Sequence, residues 1–151
     1  MRKPFTKLYL HLVWSTWNRA PLLTPVVYET VERCIRAECV KLGVDVVAFG
    51  GVCDHVHLFV RLPTTVSVAQ LIKQVKGSSS HLASRRLRAT FKWQGGYGAF
   101  TVSPRHVPQV REYVLNQERH HAEGSIHPML ELTEEEVAPP PGRPPKPGNA
   151  A

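Results

Sequence analysis

The stretch Asp54-His55-Val56-His57-Leu58-Phe59-Val60-Arg61-Leu62 alternates along its length. In a β-strand successive side chains point to opposite faces. Val56, Leu58 and Val60 then share one face and belong in a core, while His55 and His57 stand together on the other. A second apolar, β-branched run, Val44–Gly50, precedes it and is joined to it by Gly51–Asp54, which reads as a pair of strands. Outward from this pair, Thr6–Trp14 alternates Leu8, Leu10 and Leu12 against Tyr9, His11 and Val13 and predicts a first strand. Pro25–Leu42 repeats Val27, Val31, Cys34, Ile35 and Leu42 at helical spacing. Ser67–Arg88 predicts a second helix, with Ser67 and Gln70 as a capping box and Val68, Leu71, Ile72, Val75, Ser79 and Leu82 on one face. Tyr97–Ser103 follows the Gly95-Gly96 turn as a strand. A last helix is expected over Val107–Glu123, with Pro108 tolerated in its first turn.

The order β-α-β-β-α-β followed by α predicts an α+β, ferredoxin-like split βαβ fold. Two helices cover one face of an antiparallel sheet whose centre is formed by the first and third strands. The other face, which carries the two histidines, is left for the seventh element or for a ligand.

With 151 residues, 42% of them hydrophobic, the chain suits one domain with a real core. No apolar run approaches the roughly 18–20 residues of a membrane span. Met1–Thr6 has no apolar run after its basic residues, so no signal peptide and no membrane association are expected. Three cysteines, Cys34, Cys39 and Cys53, form no CxxC pair. That argues against a disulfide framework or a cysteine zinc site and for a reducing cytoplasm. A folded domain is expected over residues 4–131. Residues 132–151 read as an acidic and then Pro-rich disordered tail, because Glu134–Glu136 and six prolines between Ala138 and Ala151 offer little to bury.

The net charge of +7 is unevenly placed. Between His55 and Arg111 there is no Asp or Glu, where average composition would put about seven. The same 57 residues hold nine cations: Arg61, Lys73, Lys76, Arg85, Arg86, Arg88, Lys92, Arg105 and Arg111. Such a field captures polyanions. A generally basic surface with a chance gap is the plainer alternative.

Two constellations carry chemistry. Imidazoles at i and i+2 of a rigid strand can chelate one divalent cation, which would need further oxygen ligands if it is magnesium or manganese. The alternative is a pair of solvated histidines. On the last helix Tyr113 and Gln117 are four apart and share a face. By themselves they fit a half-buried aromatic and a surface amide. Laid across the open sheet face, the helix would bring a phenol beside a metal-bound phosphate. Tyrosine's ordinary pKa near 10 makes it a poor nucleophile without help, which the cation would supply in part. Gln117 would complete the coordination through its amide oxygen.

These pieces resemble the HUH (His-hydrophobe-His) single-tyrosine transposases of small bacterial insertion sequences, including the REP-associated tyrosine transposases. The matching segments are His11-Leu12-Val13-Trp14-Ser15-Thr16, Asp54-His55-Val56-His57-Leu58, Gly96-Tyr97-Gly98-Ala99-Phe100-Thr101-Val102-Ser103 and Tyr113-Val114-Leu115-Asn116-Gln117-Glu118-Arg119-His120-His121. They occur in the family's order from about Leu8 to His121. The resemblance implies that His55, His57 and Gln117 bind Mg2+ or Mn2+. It implies that Tyr113 cleaves single-stranded DNA, forming a 5′-phosphotyrosine link and releasing a 3′-hydroxyl that can later rejoin DNA. It also implies a homodimer, often with the Tyr helix lent to the partner's site, and recognition of hairpins near element ends.

Candidate DNA contacts are His11, Arg61, Lys73, Lys76, Arg85, Arg86, Arg88 and Lys92. His11 is expected on the open face, touching DNA or solvated. Trp93, Tyr97 and Phe100 would stack on bases or pack in the core, Phe100 being assigned to the core. His120 and His121 are assigned to the helix C-terminus as caps. Two other functions stay open: a host-recruited single-strand nuclease that processes repeats, and a non-catalytic single-strand nucleic-acid binder. The binder predicts loss of the nucleophile or ligands, yet all four residues are present. A two-histidine phosphoesterase would require a second such motif, which is missing.

Overall fold

The structure, a computed structural model, describes residues 2–87 and 90–133. Its elements are β1 (Tyr9–Ser15), α1 (Pro25–Leu42), β2 (Asp45–Gly51), β3 (His55–Arg61), α2 (Val68–Leu87), β4 (Gly98–Val102), α3 (Val107–Leu115) and α4 (Gln117–Glu123). The sheet is antiparallel in the order β2-β3-β1-β4. The two strands with the clearest alternation thus lie at its centre. Among the described residues no helix is long and apolar enough to cross a membrane.

The main core lies between the sheet and the α1–α2 layer. Leu10, Leu12 and Trp14 of β1 and Val56, Leu58 and Val60 of β3 meet Val31 and Ile35 of α1 and Leu71 and Val75 of α2, all buried. Ser67 Oγ accepts the Gln70 N–H at 3.1 Å, as the capping signal predicts. Thr24 precedes Pro25 at the start of α1, and Gly43, at φ 70°, ends it in the left-handed conformation that glycine adopts most readily.

α1 and α2 are also pinned by a polar contact. Glu38 is 8% exposed, and its carboxylate accepts from Gln74 Nε2 at 2.6 Å and from Lys41 Nζ at 3.1 Å. The Gln74 bond holds the Glu38 carboxyl below its ordinary value against burial, which pushes it up, with Lys41 adding to the lowering. The associated stability is full above the pKa of an unfolded glutamate and fades as pH falls through the lowered folded value. Gln74→Ala is therefore expected to cost about 1–3 kcal/mol at neutral pH. Urea melts should show that difference shrinking in acid.

The second face of the sheet has a smaller apolar cluster. Ala48, Phe59 and Val114 are buried there, with Tyr9, Val47, Val102, Val107 and Val110 packed around them. A register shift between Val46 and Ala48 in the β2–β3 ladder keeps Phe49 in the main core and turns Ala48 toward this cluster. α3 is anchored through it. At Gly50 a Cβ would lie 1.7 Å from the Val114 carbonyl oxygen, so only glycine lets the α3 backbone approach β2 this closely.

One expectation about the elements fails. The last helix is two helices, broken at Asn116 (φ −112°, ψ 34°). Side chains take up backbone carbonyls at the break: Asn116 Nδ2 donates to Glu112 O at 2.9 Å, and Gln117 Nε2 donates to Tyr113 O at 2.8 Å. Such local bonds compete with the helical ladder. At Gly98 a Cβ would lie 1.8 Å from the Leu132 carbonyl oxygen, so the chain after Glu131 packs closely on β4 there. Arg88 and most of the anticipated tail, residues 134–151, lie outside the described residues.

Candidate active site and metal centre

The site grows from three successive cross-strand pairs on the second face of β1 and β3. His11 pairs with Phe59 across the β1–β3 ladder, Val13 with His57, and Ser15 with His55. His55 and His57 are therefore neighbours on one face, 5.1 Å apart by ring centroids. They are not solvated: α3, α4 and the 3-10 turn Pro128–Glu131 cover them, leaving His55 2% and His57 0% exposed. Their surroundings are polar.

Each imidazole has one nitrogen held from behind and one aimed at a shared point. His55 Nδ1 bonds Asp54 Oδ1 at 2.7 Å, and His57 Nδ1 bonds His11 Nε2 at 2.7 Å. The opposite nitrogens, His55 Nε2 and His57 Nε2, lie 3.1 and 3.2 Å from Glu131 Oε2. Among the described residues, neither makes a hydrogen bond of proper geometry with it or with any other group. The ligand atoms of His55, His57 and Glu131 all fall within 4.8 Å of one another. Two buried, unpartnered nitrogens converging on a carboxylate oxygen are a donor set suited to a divalent ion.

Tyr113 of α3 reaches the same carboxylate. Its hydroxyl donates to Glu131 Oε1 and accepts the His127 N–H at 3.1 Å. Its ring meets His57 edge-on at 5.9 Å and lies 4.8 Å from His120. The histidines it meets belong to its own chain. Burial and then the Glu131 carboxylate push the phenol up to about 12. Burial would raise Glu131 too, but the His55 and His57 nitrogens beside it outweigh that and hold the carboxyl well below the usual range. At His55, burial favours the neutral ring, yet Glu131 and Asp54 together raise it. Burial wins at His57, which is lowered. His11 is lowered to about 3, first by burial and then by His57, so it stays neutral.

Gln117 is buried one helical turn below Tyr113, but its amide is already engaged. Nε2 donates to the Tyr113 carbonyl, and Oε1 lies 3.1 Å from His121 Nε2. The oxygen that stands between the two imidazoles is Glu131's. Glu131 escaped sequence reading because it follows a loop of no periodicity and borders a low-complexity tail. The only available signal was an isolated acid flanked by Leu130 and Leu132.

Four other expectations change. His11 is not solvated: it is 0% exposed and stacks on His57 at 4.9 Å. His120 and His121 do not serve as helix caps alone. His120 packs on Tyr113 and bonds Ser125 Oγ at 3.0 Å, while His121 lies 4.8 Å from the His55 ring and 3.5 Å from Glu131. Phe100 lies half-buried on the histidine face, 6.0 Å from His11, and not in the main core.

The proposed phosphate contacts divide. Lys73, Arg85, Arg86 and Lys92 are exposed. Lys76 is half-buried, and its ammonium holds the turn before β4 through the carbonyls of Gln94 (2.7 Å) and Gly96 (3.1 Å). Arg61 donates to the Thr6 carbonyl and lies over Tyr9. Trp93 is core, donating to Ser79 Oγ at 2.9 Å, whereas Tyr97 is exposed.

Comparison with known proteins adds an independent line. A family model described as "Transposase IS200 like" matches residues 4–117. The ISDra2 transposase TnpA of Deinococcus radiodurans is 25% identical over 118 residues, spanning 74% of this chain and 84% of that protein. A solved structure from Deinococcus radiodurans, assigned as a transposase, superposes with a TM-score of 0.64 at 25% identity, covering 78% of this chain and 95% of that one. A REP-associated tyrosine transposase bound to a REP hairpin gives 0.62 at 14% identity, covering 80% and 73%, a likeness of fold.

Proposed function

The chain belongs to the IS200-like transposase family, and from that membership and the polar cluster we propose that it cleaves and rejoins single-stranded DNA through a 5′-phosphotyrosine at Tyr113. One observation carries this reading: the Tyr113 hydroxyl and the inward nitrogens of His55 and His57 share a single carboxylate, that of Glu131. A nucleophile and a cation site are thereby within one side chain of each other.

His55 and His57 would hold a divalent cation, Mg2+ or Mn2+, with Glu131 as the oxygen ligand in this conformation and Gln117 as a further one if its amide turns from His121. Asp54 and His11 support this. By accepting the Nδ1 protons of the two rings they fix the tautomers that leave both Nε2 lone pairs facing inward. When bound, the ion would withdraw charge from a phosphoryl oxygen and orient the phosphate.

The protein's own groups account for the rest. A phenol held near 12 keeps its proton at neutral pH while no positive charge is added to the site. Its hydrogen bond to Glu131 orients the phenol, and as the bond to phosphorus forms the proton passes to water. As the Tyr113 oxygen bonds phosphorus, the P–O3′ bond breaks and the 3′ oxygen leaves, taking a proton from water. Attack by a 3′-hydroxyl reverses the exchange and frees the tyrosine, so strands rejoin without an external energy source.

Hairpin-containing element ends are the proposed substrate, a reading that the resemblance and the hairpin-bound structural neighbour support. A homodimer is proposed on the same resemblance, although Tyr113 needs no partner to reach histidines. The test incubates the protein with a hairpin oligonucleotide that carries a single-stranded flank and a different label at each end, with Mg2+ or Mn2+. A covalent adduct stable on a denaturing gel is expected, together with a free 3′-hydroxyl fragment. Equal cleavage of duplex DNA without any adduct would contradict the proposal.

The ligand role of Glu131 has its own expected outcome. Gly98→Ala places a methyl against the Leu132 carbonyl oxygen and should push the Glu131 segment off the sheet. Glu131→Gln removes the charge without moving the chain. Both are expected to weaken Mn2+ binding, measured by calorimetry, by about tenfold or more. Unchanged affinity in both would leave the histidines without Glu131.

A further inference from the structure

The loop after β1 carries a surface feature separate from the cleavage site. Trp17 is 42% exposed, and the Lys92 ammonium sits 3.8 Å from its ring centroid. The next two residues, Asn18 and Arg19, are both exposed and have φ of 52° and 50°. Two successive side-chain-bearing residues in the left-handed region carry a conformational cost, which persists only where surrounding bonds hold it. Here they do. Trp17 N–H donates to Lys92 O at 3.0 Å, Asn18 N–H to Gln94 Oε1 at 3.1 Å, and Arg19 N–H to Thr16 O at 3.0 Å. Thr16 Oγ1 closes the loop on the Ala20 carbonyl at 2.6 Å.

The loop is tied to the site. The Thr16 N–H donates to the Asp54 carbonyl at 2.9 Å, and Asp54 is the residue that orients His55. An exposed indole with the Lys92 ammonium over its ring, and with exposed Arg19 two residues further along the loop, therefore stands at the end of the sheet where β3 begins with His55. Lys92 belongs to the acid-free stretch His55–Arg111, so no carboxylate of that stretch neutralises it.

We propose that Trp17, backed by Lys92 and Arg19, is a stacking platform for an unpaired base of the DNA strand that runs to Tyr113. The inference rests on the single-strand reading above. An indole face accepts any base, and the adjacent ammonium and guanidinium take the flanking phosphates. Without a ligand the platform is an exposed tryptophan held at backbone expense. With one, the strand is fixed at a defined distance from the scissile phosphate.

The chain's three tryptophans make the test selective, because Trp14 and Trp93 are 0% and 6% exposed. Titration with oligo(dT), without added metal so that no cleavage intervenes, is expected to quench the exposed component of tryptophan fluorescence and shield it from acrylamide. Trp17→Phe should abolish that signal while keeping affinity within about threefold, since a phenyl ring still stacks. Trp17→Ala should weaken binding about tenfold. Lys92→Ala should weaken it less and reduce the salt dependence by about one phosphate contact. Unaltered affinity in Trp17→Ala, or equal shielding by duplex DNA, would overturn the platform. If Trp17 is shielded but no adduct ever forms, the platform stands and the cleavage reading falls. If Trp17→Ala forms adduct at the wild-type half-saturating DNA concentration, cleavage stands and the platform falls.

Discussion

Tyr113→Phe is expected to reduce covalent adduct formation by at least about a thousandfold while leaving oligonucleotide affinity within about twofold. The substitution removes one oxygen. The ring keeps its packing against His57, His120 and His127, so α3 should stay docked. Two hydrogen bonds are lost, those to Glu131 and to the His127 N–H, and a penalty of about 1–3 kcal/mol in stability would follow from unpaired partners. That penalty is measurable by urea melts and too small to unfold a domain. A variant that stays folded and binds DNA but makes no adduct assigns the loss to the missing nucleophile. Adduct formation at a wild-type rate would move the nucleophile elsewhere.

His57→Ala is expected to have the second largest effect, for two reasons that can be separated. The ring supplies one inward Nε2 to the cation set, and it is fully buried between His11, His55 and Tyr113. Its removal should abolish detectable Mn2+ binding and lower cleavage by about a thousandfold or more. It also leaves a cavity and deprives His11 Nε2 of its partner, a stability loss of about 2–4 kcal/mol. His11→Ala is the matched control. It removes only the group behind His57, so Mn2+ binding should weaken by about 10–100-fold without disappearing. Equal metal affinity in His57→Ala and the wild type would remove His57 from the metal centre.

Much of this arrangement is legible in the sequence because it depends on short-range periodicity. The two-residue period of β3 puts Val56, Leu58 and Val60 in the main core and both histidines opposite them, and the order of elements fixes β1 and β3 as central. The spacing of Tyr113 and Gln117 likewise brings them to one side of the site. Residues whose roles depend on non-local approach are not legible. His11 alternates out of the core, but only the β1–β3 register reveals that its ring lies against His57. Glu131 reaches the site through an irregular loop, which has no period to read. Asn116 looks like one more helical residue until its side chain and that of Gln117 are seen to take carbonyls from the ladder. Gly50 and Gly98 leave no sequence signal beyond their identity, yet each marks a backbone contact that a methyl group would block.

The glycine contacts also explain how one sheet face serves two ends. Next to β2 the face is apolar, and Val114 packs on Phe59 and Ala48 to anchor α3. One residue earlier on the same helix, Tyr113 turns to the histidines. The helix that supplies the proposed nucleophile is thus located by dispersion and hydrophobic contact.

The central claim is tested most directly by mass spectrometry of the adduct after trypsin and nuclease digestion. The chain has four tyrosines, Tyr9, Tyr28, Tyr97 and Tyr113. The account predicts one modified peptide, with the 5′ phosphate of the DNA on Tyr113. A DNA phosphate on any other residue, or a link through the 3′ end, would contradict it.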